Sequence, residues 1–261
     1  MLSHMRGHLV DMDQVVALCR RHDLVLIEDC AHTMGASWNG QASGTFGDIA
    51  CFSTQTYKHI NSGEGGLLTT SDPAVMARAI VLSGSYMLFE SHASRPPIEA
   101  FDDIALDTPN YSGRMDNLRA SILRPQLIEL DQRCVDWTLR YRAVEEVLTS
   151  CGDIRLPVRP RQESFVGSSI QFSLDERDAD DIAAFVATCA ARGVALKWFG
   201  TPQARGYTSR YEHWQYLGEP ANLPATDRVL ATMIDMRLPL TFTLDDCRLI
   251  AEIIVEVATT R

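Results

Sequence analysis

The sequence predicts an α/β protein in which a large domain with a mostly parallel sheet precedes a smaller α+β domain. Residues 24–70 contain three short apolar runs, each followed by a polar loop, which is typical of strands buried on both faces. Amphipathic helical patterns alternate with such runs, as in parallel sheets. We place the large domain at residues 1–130. The smaller domain, which begins with a bridging helix, is placed at residues 131–261.

Helix and strand signals order the large domain. Asp11 is placed to cap a first helix, and Asp72-Pro73 begins a second one, because proline is favoured in a first helical turn. A strand before the first helix has to come from residues 1–8 if it exists. Residues 84–112 lack periodicity, and a loop of that length is typical of a functional segment or an inter-subunit arm. The predicted strands cover residues 24–28, 49–52 and 67–70.

The remaining elements are predicted from apolar periodicity. Helices are expected at residues 115–130 (with a kink at Pro125), 131–150, 178–192, 227–234 and 245–257, and strands at 168–174, 194–198 and 236–240. Residues 200–221 are irregular and rich in aromatic side chains, namely Tyr207, Tyr211, Trp214 and Tyr216. This segment is either a packed surface loop or a wall for a sugar-nucleotide substrate, since aromatic faces stack on bases.

Composition narrows the functional classes. The 261 residues are 46% hydrophobic and carry a formal net charge of −10, which argues against a nucleic-acid partner. Seven cysteines without CxxC pairs suggest reduced thiols in a cytoplasm and argue against a zinc site. No apolar run approaches the roughly 20 residues that span a bilayer, and no secretion signal is evident. We therefore expect a cytoplasmic protein without a membrane partner.

Four chemically useful side chains follow the first two apolar runs. They are Asp29, His32, Ser53 and Lys58, and ligands of open α/β sheets bind at the carboxyl ends of strands. Each residue alone has an ordinary explanation, such as a cap, a turn or a solvated lysine. Together they suit an aldehyde cofactor, because an amine can form a Schiff base and a carboxylate can pair with a protonated pyridine nitrogen.

Three motifs carry a resemblance to a known family. Asp29-Cys30-Ala31-His32, Phe52-Ser53-x4-Lys58 and Gly63-Glu64-Gly65-Gly66, in this order, resemble the sugar aminotransferases of the DegT/DnrJ/EryC1/StrS family. The resemblance implies pyridoxal phosphate (PLP) on a fold type I aminotransferase scaffold. It also implies that Lys58 is the Schiff-base lysine, that Asp29 binds the pyridinium nitrogen, that His32 lies beside the ring and that Ser53 holds the phosphate.

A fourth motif resembles the family less closely. Asn110-Tyr111-Ser112-Gly113-Arg114-Met115 is similar to the family's Asn-x-Arg-Met region, but Ser112 and Gly113 intervene. The resemblance implies that Asn110 reaches the cofactor phosphate of a neighbouring subunit, and hence a homodimer with shared active sites. The alternative is that Asn110 only supports a turn after Pro109.

The resemblance implies transfer of an amino group from a donor such as glutamate to a nucleotide-linked keto-sugar. A PLP-dependent sugar dehydratase is one alternative, although that relative replaces the lysine with histidine and here Lys58 precedes His59. The family's usual chain carries a further segment before the position of Met1, with a phosphate loop and a residue stacked on the ring. The sequence as given is therefore expected to bind PLP weakly, and an inactive binding or dimer partner is the other alternative.

Overall fold

A computed structural model describes residues 1–85, 87–203, 210–214, 218–219 and 221–260. The chain divides into two units, the first made of Met1–Arg133 with Pro160–Val166, and the second made of Cys134–Arg159 with the chain from Gly167 onward. In chain order the elements are β1 (Leu2–Ser3), α1 (Met12–Arg21), β2 (Ile27–Asp29), β3 (Ser37–Trp38), β4 (Gln41–Ala42), β5 (Ile49–Ser53), β6 (Gly66–Thr70), α2 (Pro73–Ser83), α3 (Asn117–Ile128), α4 (Leu130–Leu148), β7 (Glu163–Ser164), β8 (Ser169–Ser173), α5 (Ala179–Ala191), β9 (Lys197–Trp198), α6 (Pro224–Thr232), β10 (Met233–Arg237) and α7 (Leu244–Thr259).

The main sheet of the first unit has the strand order β1-β2-β5-β6. Strands β1, β2 and β5 are parallel, whereas β6 runs antiparallel to β5. The mostly parallel sheet predicted from the sequence is therefore confirmed, and residues 2–3 provide the strand that precedes α1. A smaller sheet of order β4-β3-β7 joins residues 37–42 to residues 163–164. No periodicity could predict that sheet, because its strands have two residues each and pair over a long sequence separation.

Two apolar runs are less buried than the sequence predicts. Leu24 and Val25 are 56% and 68% exposed, because β2 begins only at Ile27. Leu67 and Leu68 of β6 are 36% and 40% exposed, since β6 lies at one end of the strand order. The apolar pattern correctly indicated strands in both places, but burial on both faces was wrong for β6.

The helix start signals of the first unit are confirmed. The Asp11 carboxylate accepts a hydrogen bond from the Gln14 backbone N–H, and Asp72 accepts two from the first turn of α2. The predicted loop at residues 84–112 is irregular, but it has a small core of its own. Phe89 and Phe101 stack with ring centroids 4.5 Å apart, and Phe101 is buried with Ile80 and other residues of α2.

The second unit contains a three-stranded antiparallel sheet of order β8-β10-β9. Asp178 and Thr243 immediately precede its helices α5 and α7, and their side chains cap these helices. Strand β10 lies three residues earlier than predicted, because α6 ends at Thr232 and Met233 already pairs with Ser173. Among the residues that the structure describes, no helix is both long and apolar enough to cross a membrane. Tyr207 and Tyr216 of the predicted aromatic segment lie outside the described residues.

Candidate functional site

The carboxyl ends of β2 and β5 lie at the same edge of the main sheet. Asp29 is the last residue of β2 and Ser53 the last residue of β5. The two strands are parallel neighbours, with Asp29 opposite Cys51, and the Cys30 N–H extends the pairing to the Cys51 carbonyl at 2.8 Å. The sheet thus presents a carboxylate and a hydroxyl from adjacent strands at one edge, where ligands of α/β sheets bind.

Lys58 and His32, which lie 26 residues apart in sequence, meet at this edge. Lys58 Nζ is 3.0 Å from His32 Nε2, a hydrogen-bond distance. The loop that carries Lys58 is closed by backbone hydrogen bonds of 2.9 Å from Thr54 N–H to the Gly65 carbonyl and from Thr56 N–H to the Gly63 carbonyl. A local turn therefore holds the amine against the segment that follows β2.

Burial of the two residues after Lys58 anchors the same loop. His59 is 3% exposed and Ile60 is fully buried, in a cluster with Met34 and Leu123. Burial lowers the pKa of His59 to about 4, with a further contribution from the nearby cations Lys58 and Arg133. His59 is consequently neutral near pH 7 and adds no positive charge next to the Lys58 amine.

The Asp29 carboxylate is held at both oxygens. Its Oδ1 accepts the Ala31 backbone N–H at 3.0 Å, and its Oδ2 accepts the Ser3 hydroxyl at 2.7 Å. Each carboxylate oxygen can accept two hydrogen bonds, so both retain capacity for another donor. Sequence reasoning missed Ser3, because a two-residue strand gives no periodic signal.

Ser53 and Asn110 have local partners. The Ser53 hydroxyl accepts the Gln55 backbone N–H at 3.2 Å. Asn110 Oδ1 accepts the Ser112 N–H at 2.7 Å, and the neighbouring Tyr111 N–H bonds the Leu82 carbonyl near the end of α2. Within this chain the structure therefore joins Lys58 to His32 and sets Asp29 and Ser53 on adjacent strand ends, whereas the hydrogen bonds of Asn110 stay within its own turn.

Met115, which ends the motif that begins at Asn110, nevertheless approaches Gly65 in the loop that carries Lys58. Gly65 has a φ of +143°, and a side-chain Cβ built there would lie 2.8 Å from Met115 Cε and 2.7 Å from Thr54 Oγ1. Only glycine fits such a conformation and such crowding. The Thr54 and Ser62 hydroxyl oxygens are buried without a hydrogen-bond partner among the described residues. Two hydroxyls in the Lys58 loop are thus available to a polar ligand.

The buried Glu28 carboxylate binds the backbone of residues 44–47 on the face of β2 opposite to Asp29, an arrangement that we call the Glu28 clamp. Its carboxylate accepts the backbone N–H groups of Gly44, Phe46 and Gly47 at 3.1, 2.9 and 2.7 Å, and lies 3.2 Å from His4 Nε2. Burial by itself raises the pKa of Glu28, but these hydrogen bonds from His4 and the backbone outweigh it and lower the pKa. Glu28 therefore stays ionised and fixes residues 44–47 against the strand that ends in Asp29.

Cys30 completes this buried cluster. One nitrogen, oxygen or sulfur atom from each of His4, Glu28 and Cys30 lies within 4.8 Å of the other two, and such a group of atoms could also bind a metal ion. Both Glu28 oxygens are already taken by four donors, and burial raises the pKa of the Cys30 thiol to about 11. The Ser43 hydroxyl donates to the Cys30 sulfur at 3.3 Å. These contacts account for the cluster as a structural hydrogen-bond network.

Comparisons with known proteins agree with this architecture. Over 140 residues the chain is 37% identical to a GDP-perosamine synthase of Caulobacter vibrioides, a stretch that covers 51% of this chain and 35% of that protein. Over 185 residues it is 31% identical to the UDP-N-acetyl-3-dehydro-alpha-D-glucosamine 3-aminotransferase of Acidithiobacillus ferrooxidans, covering 67% of this chain and 44% of that protein. The chain thus matches less than half the length of these two curated relatives.

A solved structure and a family description complete the comparison. The fold superposes on the PLP form of Spr1654 from Streptococcus pneumoniae with a TM-score of 0.79 at 17% identity, over 98% of this chain and 67% of that one, which confirms the fold type expected from the sequence. Residues 1–255 match the DegT/DnrJ/EryC1/StrS aminotransferase family. The resemblance to this family is thereby confirmed, and the chain belongs to the DegT/DnrJ/EryC1/StrS aminotransferase family.

Proposed function

We propose that this protein is a PLP-dependent aminotransferase that converts a keto-sugar, carried on a nucleotide, to an amino sugar with an amino-acid donor such as glutamate. The observation that carries the proposal is the 3.0 Å approach of Lys58 Nζ to His32 Nε2 beside the strand that ends in Asp29. The names of the two relatives, one a GDP-sugar and one a UDP-sugar enzyme, support a nucleotide-linked substrate.

The donor set fits the cofactor. An amine, a carboxylate with free acceptor capacity and several hydroxyls are the groups that an anionic, aldehyde-bearing pyridine requires. In this proposal Asp29 pairs with the ring nitrogen, His32 lies beside the ring, Ser53 binds the phosphate, and Asn110 reaches the phosphate of the neighbouring subunit. The unpartnered buried hydroxyls of Thr54 and Ser62 support a polar ligand next to this loop.

Lys58 has two tasks in the proposed reaction. When bound, PLP supplies an aldehyde that amines can attack and a ring that accepts the electrons of a substrate carbanion. The Lys58 amine is the nucleophile that holds the aldehyde. The same amine would also move the substrate α-proton, first as general base and then as general acid. His32, at hydrogen-bond distance, orients Nζ for both tasks.

Asp29 and His59 set the charge around that amine. In this proposal the Asp29 carboxylate favours a protonated ring nitrogen, since an opposite charge at close range stabilises the charged form. His59 is neutral near pH 7 and adds no positive charge beside Lys58. Residues 1–130 serve in this proposal as the cofactor domain and residues 131–261 as the smaller domain.

The assembly and location belong to the same proposal. We infer a homodimer, since the exposed apolar side chains Leu118 and Ile122 lie one turn apart on α3 and are 73% and 44% exposed. All seven cysteines are free thiols, which supports a reducing cytoplasm.

A labelling experiment tests the role of Lys58. The chain has only two lysines, Lys58 and Lys197, so borohydride reduction of the PLP-loaded protein followed by peptide mapping gives a binary result. We expect the cofactor on the peptide that contains Lys58, and its loss in Lys58→Arg but not in the matched Lys197→Arg variant. Label on Lys197 or on the terminal amine instead would refute the assignment.

A product assay tests the reaction class. The protein, PLP, glutamate and a nucleotide-linked keto-sugar should yield 2-oxoglutarate and an amino sugar, both detectable by mass spectrometry. Loss of a sugar hydroxyl without nitrogen transfer would indicate the dehydratase alternative.

A further inference from the structure

Ser3 lies beside the Asp29 carboxylate in the pairing of β1 with β2. The two residues are register partners in the parallel pair, and the Ser3 hydroxyl donates to Asp29 Oδ2 at 2.7 Å. The only other described hydrogen bond to this carboxylate comes from the Ala31 N–H at Oδ1. One contact is therefore from the backbone of the segment that follows Asp29, and the other is from a side chain on a different strand.

The short strand β1 is fixed independently of Ser3. The His4 N–H bonds the Asp29 carbonyl at 3.1 Å, and the buried His4 ring contacts the buried Glu28 carboxylate at 3.2 Å. These two contacts of the next residue hold the backbone of Ser3 in register with Asp29. The Ser3 side chain itself is exposed, so its hydroxyl is not needed to fill the interior.

We propose that Ser3 is a positioning residue for Asp29, which directs one carboxylate oxygen of Asp29 toward the ring nitrogen of the cofactor. The proposal rests on the function proposed above. With Ala31 N–H at Oδ1 and Ser3 O–H at Oδ2, rotation of the carboxyl group breaks at least one hydrogen bond. Each oxygen keeps a second lone pair. The carboxylate can therefore accept a hydrogen bond from a further N–H donor, in a fixed direction, without losing either of its present partners.

Substitution of Ser3 separates this role from a structural one. Ser3→Ala removes the hydroxyl, whereas Ser3→Thr keeps it. The matched control is Thr243→Ala, which deletes another exposed hydroxyl that bonds a carboxylate, Asp246, at 2.7 Å in the second unit. The readouts are the PLP dissociation constant, from a spectroscopic titration, and the visible circular dichroism per bound cofactor, which reports how the ring is held.

We expect Ser3→Ala to weaken PLP binding about tenfold, the size of one hydrogen bond to a charged group. We also expect it to reduce the visible dichroism. Ser3→Thr should stay within about twofold of the natural chain, and Thr243→Ala should leave both readouts unchanged even where it lowers stability, since a cap contributes about 1 kcal/mol to the helix alone.

A double-mutant cycle shows whether the effect passes through Asp29. In an Asp29→Ala background the additional change Ser3→Ala should have almost no effect on the PLP dissociation constant, because the acceptor of the hydroxyl is gone. An equal loss in both backgrounds, or no loss in the natural background, would overturn the proposal. Failure of the natural chain to bind PLP at all would instead refute the proposed function, and the role of Ser3 with it.

Discussion

Two histidines lie close to Lys58 in different environments. His32 is half-buried and approaches the amine at 3.0 Å, whereas His59 is buried directly after Lys58 in sequence. The sequence pattern indicated His32 as a site residue because it follows a strand end, and it gave no reason to expect His59 to be buried. The next residue, Ile60, is buried in a cluster with Met34 and Leu123, which are distant in sequence and come together only in the folded unit.

The lowered pKa of His59 predicts a specific loss of stability in acid. The unfolded chain has a histidine pKa near 6.5, and the folded value is about 4, so the unfolded state binds more protons between these pH values. The stability that depends on neutral His59 is fully present above about pH 6.5 and is lost as pH falls towards 4. Between pH 7 and 4.5 the loss amounts to about 2 kcal/mol.

Denaturant unfolding at the two pH values measures this contribution. In His59→Gln the free energy of unfolding should decrease by about 2 kcal/mol less on acidification than in the natural chain, since glutamine does not titrate. His92→Gln, at an exposed position, is the matched control, and its free energy of unfolding should show the same pH dependence as that of the natural chain. Identical pH dependence of His59→Gln and the natural chain would contradict a buried neutral imidazole.

At the scale of elements, the sequence predicted those features that depend on contacts between residues close together in the chain. Asp11, Asp72 and Asp178 each cap the helix that the sequence indicated, because an N-cap bonds backbone N–H groups only two or three residues away. The start of β10 and the exposure of β6 were not predictable in this way. They depend on pairing of β10 with β8 and on the place of β6 at the end of the strand order, which are non-local.

The Glu28 clamp is another non-local feature, and it predicts a strong effect of one substitution. Glu28→Gln replaces an ionised acceptor by an amide whose N–H₂ opposes the N–H groups of Gly44, Phe46 and Gly47. Removal of one partner from a buried charged network costs about 3–5 kcal/mol. We expect a destabilisation of that order, with faster hydrogen exchange at these three amides.

A surface glutamate provides the comparison for this experiment. Glu252→Gln, at an exposed position on α7, should change the free energy of unfolding by less than about 0.5 kcal/mol. If Glu28→Gln is equally mild, the carboxylate is not the anchor of residues 44–47. Slow exchange that persists at the three amides would lead to the same conclusion.

At the scale of the whole molecule, the proposed active site requires two copies of the chain. The sequence predicted Asp29, His32, Ser53 and Lys58 at successive strand ends, and the pairing of β2 with β5 sets Asp29 and Ser53 at the ends of adjacent strands. Asn110 differs from these four residues. Its side-chain oxygen accepts a hydrogen bond from the Ser112 N–H of the same chain, beside the end of α2. The proposed role of Asn110 at the cofactor phosphate therefore calls for a neighbouring subunit.

Complementation between two inactive variants tests this dependence directly. Lys58→Ala lacks the nucleophile, and Asn110→Ala lacks the proposed contact to the partner's cofactor. If the sites are shared in a two-fold dimer, mixing equal amounts after subunit exchange produces hybrid dimers with one intact site, or about a quarter of the natural number of sites. PLP bound tightly to Lys58 of the Asn110→Ala chain, measured by borohydride trapping, should therefore reappear in the mixture. If Asn110 acts within its own chain, neither site of a hybrid is complete, and the mixture should bind no more PLP than the average of the two variants.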